Sequence, residues 1–163
     1  MKIRFFGELN LRKSQYDTIV HLQDRDIILD LNLENVLGTR NWIISYDNYV
    51  SKISNFRKEI EREIHENYKE KGIVKEWIDY HIEELKFKDE ELDDLLEVKF
   101  KNCSLENKLF SLLNLSRIGL YPGDEDYAVW DFTLDGELSD EILVVITDID
   151  GDLIDFAWET EGE

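Results

Sequence analysis

The last third of the chain alternates short apolar runs with turn dipeptides, and this pattern constrains the fold more than any other feature. The predicted strands cover residues 115–121, 127–134, 142–148 and 153–160. The turn pairs between them are Pro122-Gly123, Asp135-Gly136 and Asp150-Gly151. Such pairs are typical of tight turns because glycine adopts the positive φ angles that hairpins need. We therefore predict a four-stranded antiparallel meander.

The last predicted hairpin can be given a register. A two-residue turn centred on Asp150-Gly151 places three pairs on an apolar face that should be core: Thr147 with Ile154, Val145 with Phe156, and Leu143 with Trp158. The other face pairs Ile146 with Asp155 and Ile142 with Glu159. A slip of one residue would bury Asp155, so the pattern specifies the register strongly.

The middle of the chain is predicted to be helical. Apolar side chains recur every three or four residues from Tyr46 to Tyr68, which places them on one helical stripe. Gly72 is the predicted left-handed cap, and a second stripe runs from Val74 to Leu85. Helices joined by so short a turn should lie antiparallel. Two more short helices are predicted, from Glu90 to Glu97 and after the capping residue Ser104.

The first thirty residues predict strands. Residues 18–22 and 27–31 are rich in β-branched and aliphatic side chains, and the polar segment 23–26 between them has the length of a hairpin turn. An earlier strand is predicted at residues 3–6. Together with the helices and the meander, these strands predict a single α+β domain over residues 1–163. Three or four central helices should pack against one sheet.

Charge is distributed very unevenly along the chain. The whole sequence has 38 acidic and 19 basic residues, a net charge of −19. Residues 118–163 contain fifteen of the acids and no lysine or arginine. Such a charge repels nucleic-acid phosphates and anionic membranes, so we expect neither as a partner. It attracts basic proteins, and acids without interspersed bases are unusual for solubility alone.

The acids of the last third, with the two tyrosines that flank the first turn, are the predicted binding surface. Its members are Tyr121, Asp124, Glu125, Asp126, Tyr127, Asp131, Asp135, Glu137, Asp140 and Glu141. The carboxylates would steer a basic partner towards the surface, and the tyrosines would act as aromatic anchors. The alternative interpretation is a solvated face without a dedicated partner.

Metal binding and covalent catalysis have less support in the sequence. The segment Asp148-Ile-Asp-Gly-Asp152 has alternating acids, but its glycine and flanking strands do not fit a calcium loop, so we interpret it as a turn. A possible metal set on the two long helices is His65, His81, Glu61 and Glu84. Cys103 could lie near a helix N-terminus, where its thiol would be activated, but we favour a structural role. We expect no catalytic residue and no cofactor.

The segments Gly123-Asp-Glu-Asp-Tyr-Ala-Val-Trp-Asp-Phe-Thr-Leu and Glu137-Leu-Ser-Asp-Glu-Ile-Leu-Val-Val-Ile-Thr-Asp-Ile-Asp-Gly resemble a small bacterial family catalogued only as a domain of unknown function. The resemblance covers residues 104–160. It implies no activity and no catalytic residues. In size and charge the chain also resembles the immunity proteins that neutralise secreted bacterial toxins, many of which are basic nucleases.

These features predict a cytoplasmic protein-binding module, such as an immunity-type inhibitor of a basic toxin. The single cysteine excludes an intramolecular disulfide, and no apolar run is long enough for a signal peptide or a membrane span. Two alternatives remain. One is a metal-dependent enzyme that uses carboxylates or histidines, and the other is a housekeeping protein whose charge only keeps it soluble.

Overall fold

The computed structural model describes residues 2–10, 12–23, 25–84, 104–135 and 138–161. Within these residues the α-helices are α1 (Trp42–Val50), α2 (Ile53–Lys69), α3 (Ile73–Glu83) and α4 (Leu105–Leu112), and a short 3-10 helix covers Glu34–Val36. Its strands are β1 (Lys2–Ile3), β2 (Gly7–Glu8), β3 (Gln15–Leu22), β4 (Arg25–Asn32), β5 (Leu113–Leu120), β6 (Ala128–Leu134), β7 (Glu141–Thr147) and β8 (Leu153–Thr160). The predicted α+β class is confirmed.

The main sheet has six strands in the order β3-β4-β5-β6-β7-β8. The predicted meander is present as β5 to β8, and every neighbouring pair in the sheet is antiparallel except β4 and β5. The parallel pair aligns Leu29 with Ile118. It joins the N-terminal hairpin to the meander across the whole helical segment, as a crossover connection does.

One face of the sheet forms the core with the helices. A continuous row of cross-strand neighbours crosses this face: Leu29, Ile118, Trp130, Val145 and Phe156. All five are buried in one cluster with the apolar stripes of the described helices. The next row has the opposite parity: Ile19, Ile28, Arg117, Asp131, Val144 and Ala157. We call this second face the outer face; Ile19 and Ile28 are exposed on it, whereas Asp131 and Val144 are buried.

The predicted register of the last hairpin is confirmed except at the turn. Val145 pairs with Phe156, and Ile146 pairs with Asp155, as predicted. Thr147, however, pairs with Leu153 and not with Ile154, because a β-bulge interrupts the ladder there. The predicted two-residue turn needs a positive φ at both Asp150 and Gly151, but of these two residues only Gly151 has one, 83°. The loop is a tight turn followed by a left-handed glycine, which is one residue longer than the predicted two-residue turn.

The single stripe predicted from Tyr46 to Tyr68 is divided between two helices, so one continuous helix is wrong. The break lies at Ser51 and Lys52, where the Ser51 hydroxyl donates to the Asn48 carbonyl at 2.9 Å. Such local bonds compete with the helical backbone pattern. The strand predicted at residues 3–6 is also interrupted, because Phe5 has a φ of 72° and forms the turn between β1 and β2.

The turn between α2 and α3 differs from the prediction in one residue. Lys71, with a φ of 61°, is the left-handed residue, while Gly72 is extended. Gly72 is required for space, since a Cβ atom there would lie 2.5 Å from the Asn67 amide nitrogen. The Asn67 side chain in turn accepts the Val74 N–H at 2.8 Å and caps α3. The predicted Ser104 cap of α4 is confirmed, and the helix predicted at residues 90–97 lies outside the described residues.

Candidate functional site

The acids of the predicted binding surface lie at two opposite ends of the sheet. Asp124, Glu125 and Asp126 precede β6, whereas Asp135 follows it. Because each residue of a strand advances the chain by about 3.3 Å, the two groups are separated by roughly 20 Å. The surface predicted as one patch is therefore two, and each has to be considered separately.

The first patch is larger than predicted because two loops meet at the same end of the sheet. Tyr127, at the start of β6, donates its N–H to the carbonyl of Thr147, at the end of β7, at 3.0 Å. The β5–β6 loop and the β7–β8 loop are consequently neighbours. Together they carry the acidic end, which we define by six carboxylates: Asp124, Glu125, Asp126, Asp148, Asp150 and Asp152.

Local hydrogen bonds fix the shape of both loops. The Asp148 carboxylate accepts the backbone N–H groups of Asp150 and Asp152, each at 2.9 Å. The Asn35 side chain, just after β4, donates to the Asp124 carboxylate. These contacts use neutral donors and leave the negative charges in place. The acidic end is thus a shaped surface with its charge retained.

The charges of the acidic end are not neutralised within the described chain. None of its six carboxylates forms an ion pair with a lysine or arginine among the residues that the structure describes. Five are exposed, and Asp148 is half-buried. Ile149 lies among them with 45 % of its surface exposed. The arrangement combines concentrated negative charge with an accessible apolar side chain.

At the opposite end of the sheet, the predicted binding acids have structural partners. Arg25 donates to both oxygens of Asp135, at 2.8 and 3.0 Å. Glu141 accepts hydrogen bonds from Trp158 Nε1 at 2.5 Å and from Thr160 Oγ1 at 3.0 Å. Asp140 is exposed, and Glu137 lies outside the described residues. These contacts link strands of the sheet, and they leave this patch with fewer carboxylates available to a partner than the acidic end has.

Asp131 belongs to a buried ion cluster on the outer face of the sheet. The Arg117 guanidinium binds Asp30 through two nitrogens and Asp131 through a third, at 3.1 Å. It also donates to the Tyr121 hydroxyl at 3.0 Å. Burial raises the pKa of Asp131, and Arg117 opposes that rise. Asp131 is only 8 % exposed, so this cluster stabilises the sheet and does not form a contact surface.

The two predicted aromatic anchors also serve the fold. Tyr127 is 1 % exposed, which excludes it from a partner's surface, and burial raises its pKa. Its ring packs against Tyr49 with centroids 5.1 Å apart. Tyr121 is half-buried beside Arg117. The accessible apolar side chain of the acidic end is Ile149.

The structure does not assemble the proposed metal set of the helices. His81 is fully buried, with Nδ1 2.7 Å from the Trp77 carbonyl and Nε2 2.8 Å from the Ser139 hydroxyl. Burial lowers its pKa. His65 instead packs on Phe110 with ring centroids 4.7 Å apart, and Glu61 pairs with Arg57. Glu84 is exposed at the end of α3. Cys103 lies outside the described residues.

Within the described parts of the chain, one group of three metal-ligating side chains has its ligand atoms within 4.8 Å of one another: Asp148, Asp150 and Asp152. These are the acids of the β7–β8 turn. Their proximity follows from the turn itself, because the Asp148 carboxylate accepts two of its backbone N–H groups. This agrees with the interpretation of the segment as a turn.

Sequence reasoning missed that the acids at 148, 150 and 152 join those at 124–126. The signal was present, because the first and third turns of an antiparallel meander lie at the same end. Sequence reasoning also missed the ion pair of Asp30 with Arg117, for which the local sequence gives no signal. The pair is separated by 87 residues and meets only through the parallel β4–β5 ladder.

The chain has no detected similarity to known proteins. No family model matches the chain, and neither a curated protein nor a solved structure matches it. Among the described helices, none has the length and apolar character needed to span a bilayer.

Proposed function

We propose that this protein is a binding module whose acidic end recognises a basic protein, and that it acts as an immunity-type inhibitor in the bacterial cytoplasm. The observation that carries the proposal is the convergence of six carboxylates from two neighbouring loops, none of them ion-paired to a lysine or arginine of the described chain. A basic surface docked there would satisfy charges that the fold leaves open.

The contrast between the two ends of the sheet supports this choice. Asp135 and Glu141 are held by internal donors, so their charge or hydrogen-bonding capacity is already used. The acids at 124–126, 150 and 152 are exposed. Concentrated charge of one sign raises association rates by about 10- to 1000-fold through steering. Ile149 adds an apolar contact that can be desolvated in the complex.

Charge substitution at the acidic end tests the proposal directly. The triple variant Asp124→Asn, Glu125→Gln, Asp126→Asn removes three negative charges and keeps side-chain size. Its matched control, Glu70→Gln, Glu76→Gln, Glu83→Gln, removes three exposed charges from α3 and the end of α2. Affinity capture from the native host with the wild type and both variants should recover a basic protein that only the acidic-end variant loses.

The mode of binding can then be measured with the recovered protein. Raising salt from about 50 to 500 mM should slow its association with the wild type by at least ~10-fold, because screening shortens the range of the field. The inhibitor role requires the recovered protein to be toxic alone and harmless when co-expressed. If nothing captured depends on the acidic end, or if the dependent proteins are acidic, the proposal is wrong.

A further inference from the structure

Among the residues that the structure describes, the strand β3 forms an edge of the main sheet, and it lacks the proline, lysine or bulge that often protects an edge. It is eight residues long, with the sequence Gln-Tyr-Asp-Thr-Ile-Val-His-Leu, and contains no proline, lysine or glycine. Its pairing with β4 is continuous from Leu22–Arg25 to Gln15–Asn32 and has no bulge. Natural proteins usually interrupt long edges because their free backbone groups pair with other chains.

The backbone geometry of β3 shows which groups are available. In a two-residue hairpin the closing residues, here Leu22 and Arg25, exchange hydrogen bonds, and every second residue along the strand does the same. The intervening residues, Gln15, Asp17, Ile19 and His21, therefore direct their N–H and C=O groups towards the free edge. These four are also the residues of β3 whose side chains are exposed.

An apolar pair lies on the outer face at this edge. Ile19 is 70 % exposed, and its cross-strand neighbour Ile28 is 50 % exposed. Both values are high for isoleucine in a regular strand, where the side chain normally packs against a neighbour. The two side chains form an isolated apolar pair at the margin of the outer face, next to Arg117 on β5.

We propose that β3 pairs antiparallel with β3 of a second copy of this chain, on a twofold axis that passes through Ile19. The pairing places Ile19 opposite Ile19 and Asp17 opposite His21 of the second copy. Within its own chain His21 Nδ1 lies 2.9 Å from Asp26 Oδ1, so Nε2 is the ring nitrogen left to face Asp17. On the core face the pairing places Thr18 opposite Val20 and Tyr16 opposite Leu22. Polar residues face polar residues and Ile19 faces Ile19 in this register, and the interface closes on itself.

The resulting sheet would have twelve strands and a row of four isoleucines across the axis, two from each copy. Six main-chain hydrogen bonds would link the copies, because Ile19, Asp17 and His21 all lie in hydrogen-bonded pairs. A second copy is preferred over a peptide from another protein because the strand is complementary to itself. A foreign peptide would have to supply the polar side chains and the central isoleucine in the same order.

The segment that would pair carries little net charge. Segment 12–32, which contains the hairpin, has four acids and three bases. The acidic end lies beyond the end of the sheet where β3 begins, and its Asp124 reaches Asn35 just after β4. Ile19 is four residues from that end of β3, roughly 13 Å along the strand, which exceeds the screening length of ~8 Å at physiological ionic strength.

Substitution of Ile19 tests the proposal, and the chain offers a matched control. Ile44 on α1 is 74 % exposed, so Ile44→Lys makes the same change at an equally accessible site far from β3 in sequence. Sedimentation equilibrium of the wild type from about 1 µM to 1 mM should show a monomer–dimer equilibrium, as a short interface predicts. Ile19→Lys should raise the dimer dissociation constant by roughly 30- to 1000-fold, since two isoleucines lose their burial and two lysines face each other.

Disulfide trapping checks the register independently of dimer strength. In a Cys103→Ser background, Ile19→Cys places two thiols on the axis, where Cα atoms of a hydrogen-bonded pair lie about 5.5 Å apart and a disulfide can form. We expect rapid covalent dimerisation of this variant and slow reaction of Ile44→Cys. Circular dichroism of each variant confirms that it is folded. A monomer at every concentration, a dimer that persists in Ile19→Lys, or equal trapping at both positions would each overturn the proposal.

Discussion

Two buried tyrosines in contact with each other differ in whether their hydroxyl groups are hydrogen-bonded, and this difference can be measured. Tyr49 and Tyr127 are each 1 % exposed. The Tyr49 hydroxyl lies 2.7 Å from Thr147 Oγ1 and accepts from Trp130 Nε1 at 3.0 Å. The Tyr127 hydroxyl has no hydrogen-bond partner among the described residues. Replacing each with phenylalanine removes one oxygen from the same aromatic cluster.

The expected free-energy changes follow from these contacts. Tyr49→Phe removes two hydrogen bonds and leaves the buried Trp130 N–H without its acceptor. At about 1 kcal/mol per bond and 1 to 3 kcal/mol for an unsatisfied buried donor, the free energy of unfolding should fall by roughly 2 to 4 kcal/mol. Tyr127→Phe removes an oxygen that is desolvated without compensation. It should change stability by about 0 to +1 kcal/mol, that is, towards a more stable fold.

Urea unfolding monitored by tryptophan fluorescence distinguishes the two variants. With a denaturant slope of about 2 kcal/mol/M, the midpoint of Tyr49→Phe should fall by roughly 1 to 2 M, while that of Tyr127→Phe stays the same or rises. Burial raises the pKa of Tyr49 to about 12, so both hydroxyls are neutral under these conditions. A Tyr127→Phe variant as unstable as Tyr49→Phe would show that the hydrogen-bond argument is wrong.

Two further predictions concern the β7–β8 turn and the buried histidine. Gly151→Ala should destabilise the fold by about 2 to 4 kcal/mol, because alanine disfavours the positive φ and its Cβ atom would clash with the Phe56 ring. Gly38 has a similar φ of 84° but lies in open space, so Gly38→Ala should cost only about 1 kcal/mol. Thermal unfolding of both variants compares the two. Burial lowers the pKa of His81, so the folded state disfavours its protonation, and stability should be full above pH ~6.5 and decline as the pH falls through that value. A His81→Gln variant should lose less stability between about pH 7 and 5, and an equal loss in both proteins would contradict this assignment.

Local pattern predicted the elements of this fold well. The alternation from Leu153 to Thr160 is a strand with those same bounds, and Ser104 caps a helix as its side chain suggests. Two local predictions failed, for different reasons. The break at Ser51 has no proline or glycine to signal it, and the apolar stripe continues across it. The bulge at Ile154 depends on which residues of the loop take positive φ, and the Asp-Gly pair fits two loop lengths.

The candidate surface was predicted in part. Charge counting located the acids correctly in the last third of the chain, but it treated carboxylates as equivalent. The fold distinguishes them, because Asp131 and Asp135 meet arginines from β5 and β4, while Asp124 and Asp150 meet none within the described residues. Arg117 faces Asp131 across the antiparallel β5–β6 hairpin, 14 residues away in sequence, whereas Arg25 reaches Asp135 from β4 through the parallel β4–β5 ladder, across 110 residues. Pairings of this range have no local signature.

The two proposed interfaces constrain each other through the geometry of the sheet. The acidic end lies at the end of the sheet where β3 begins, since Gln15 pairs with Asn32, Leu31 with Leu120, and Ala128 with Thr147. A twofold axis through Ile19 reverses the second β3, so the two acidic ends would face in opposite directions. With roughly 13 Å along the strand from Ile19 to the acidic end of its own copy, the two patches would be separated by about 26 Å along the strands, roughly three screening lengths. Each copy could then bind its own basic partner without competition, and the complex should contain two copies of each protein. Ile19→Lys should convert it to one of each while leaving the affinity of the acidic end unchanged, because no residue of β3 belongs to that surface.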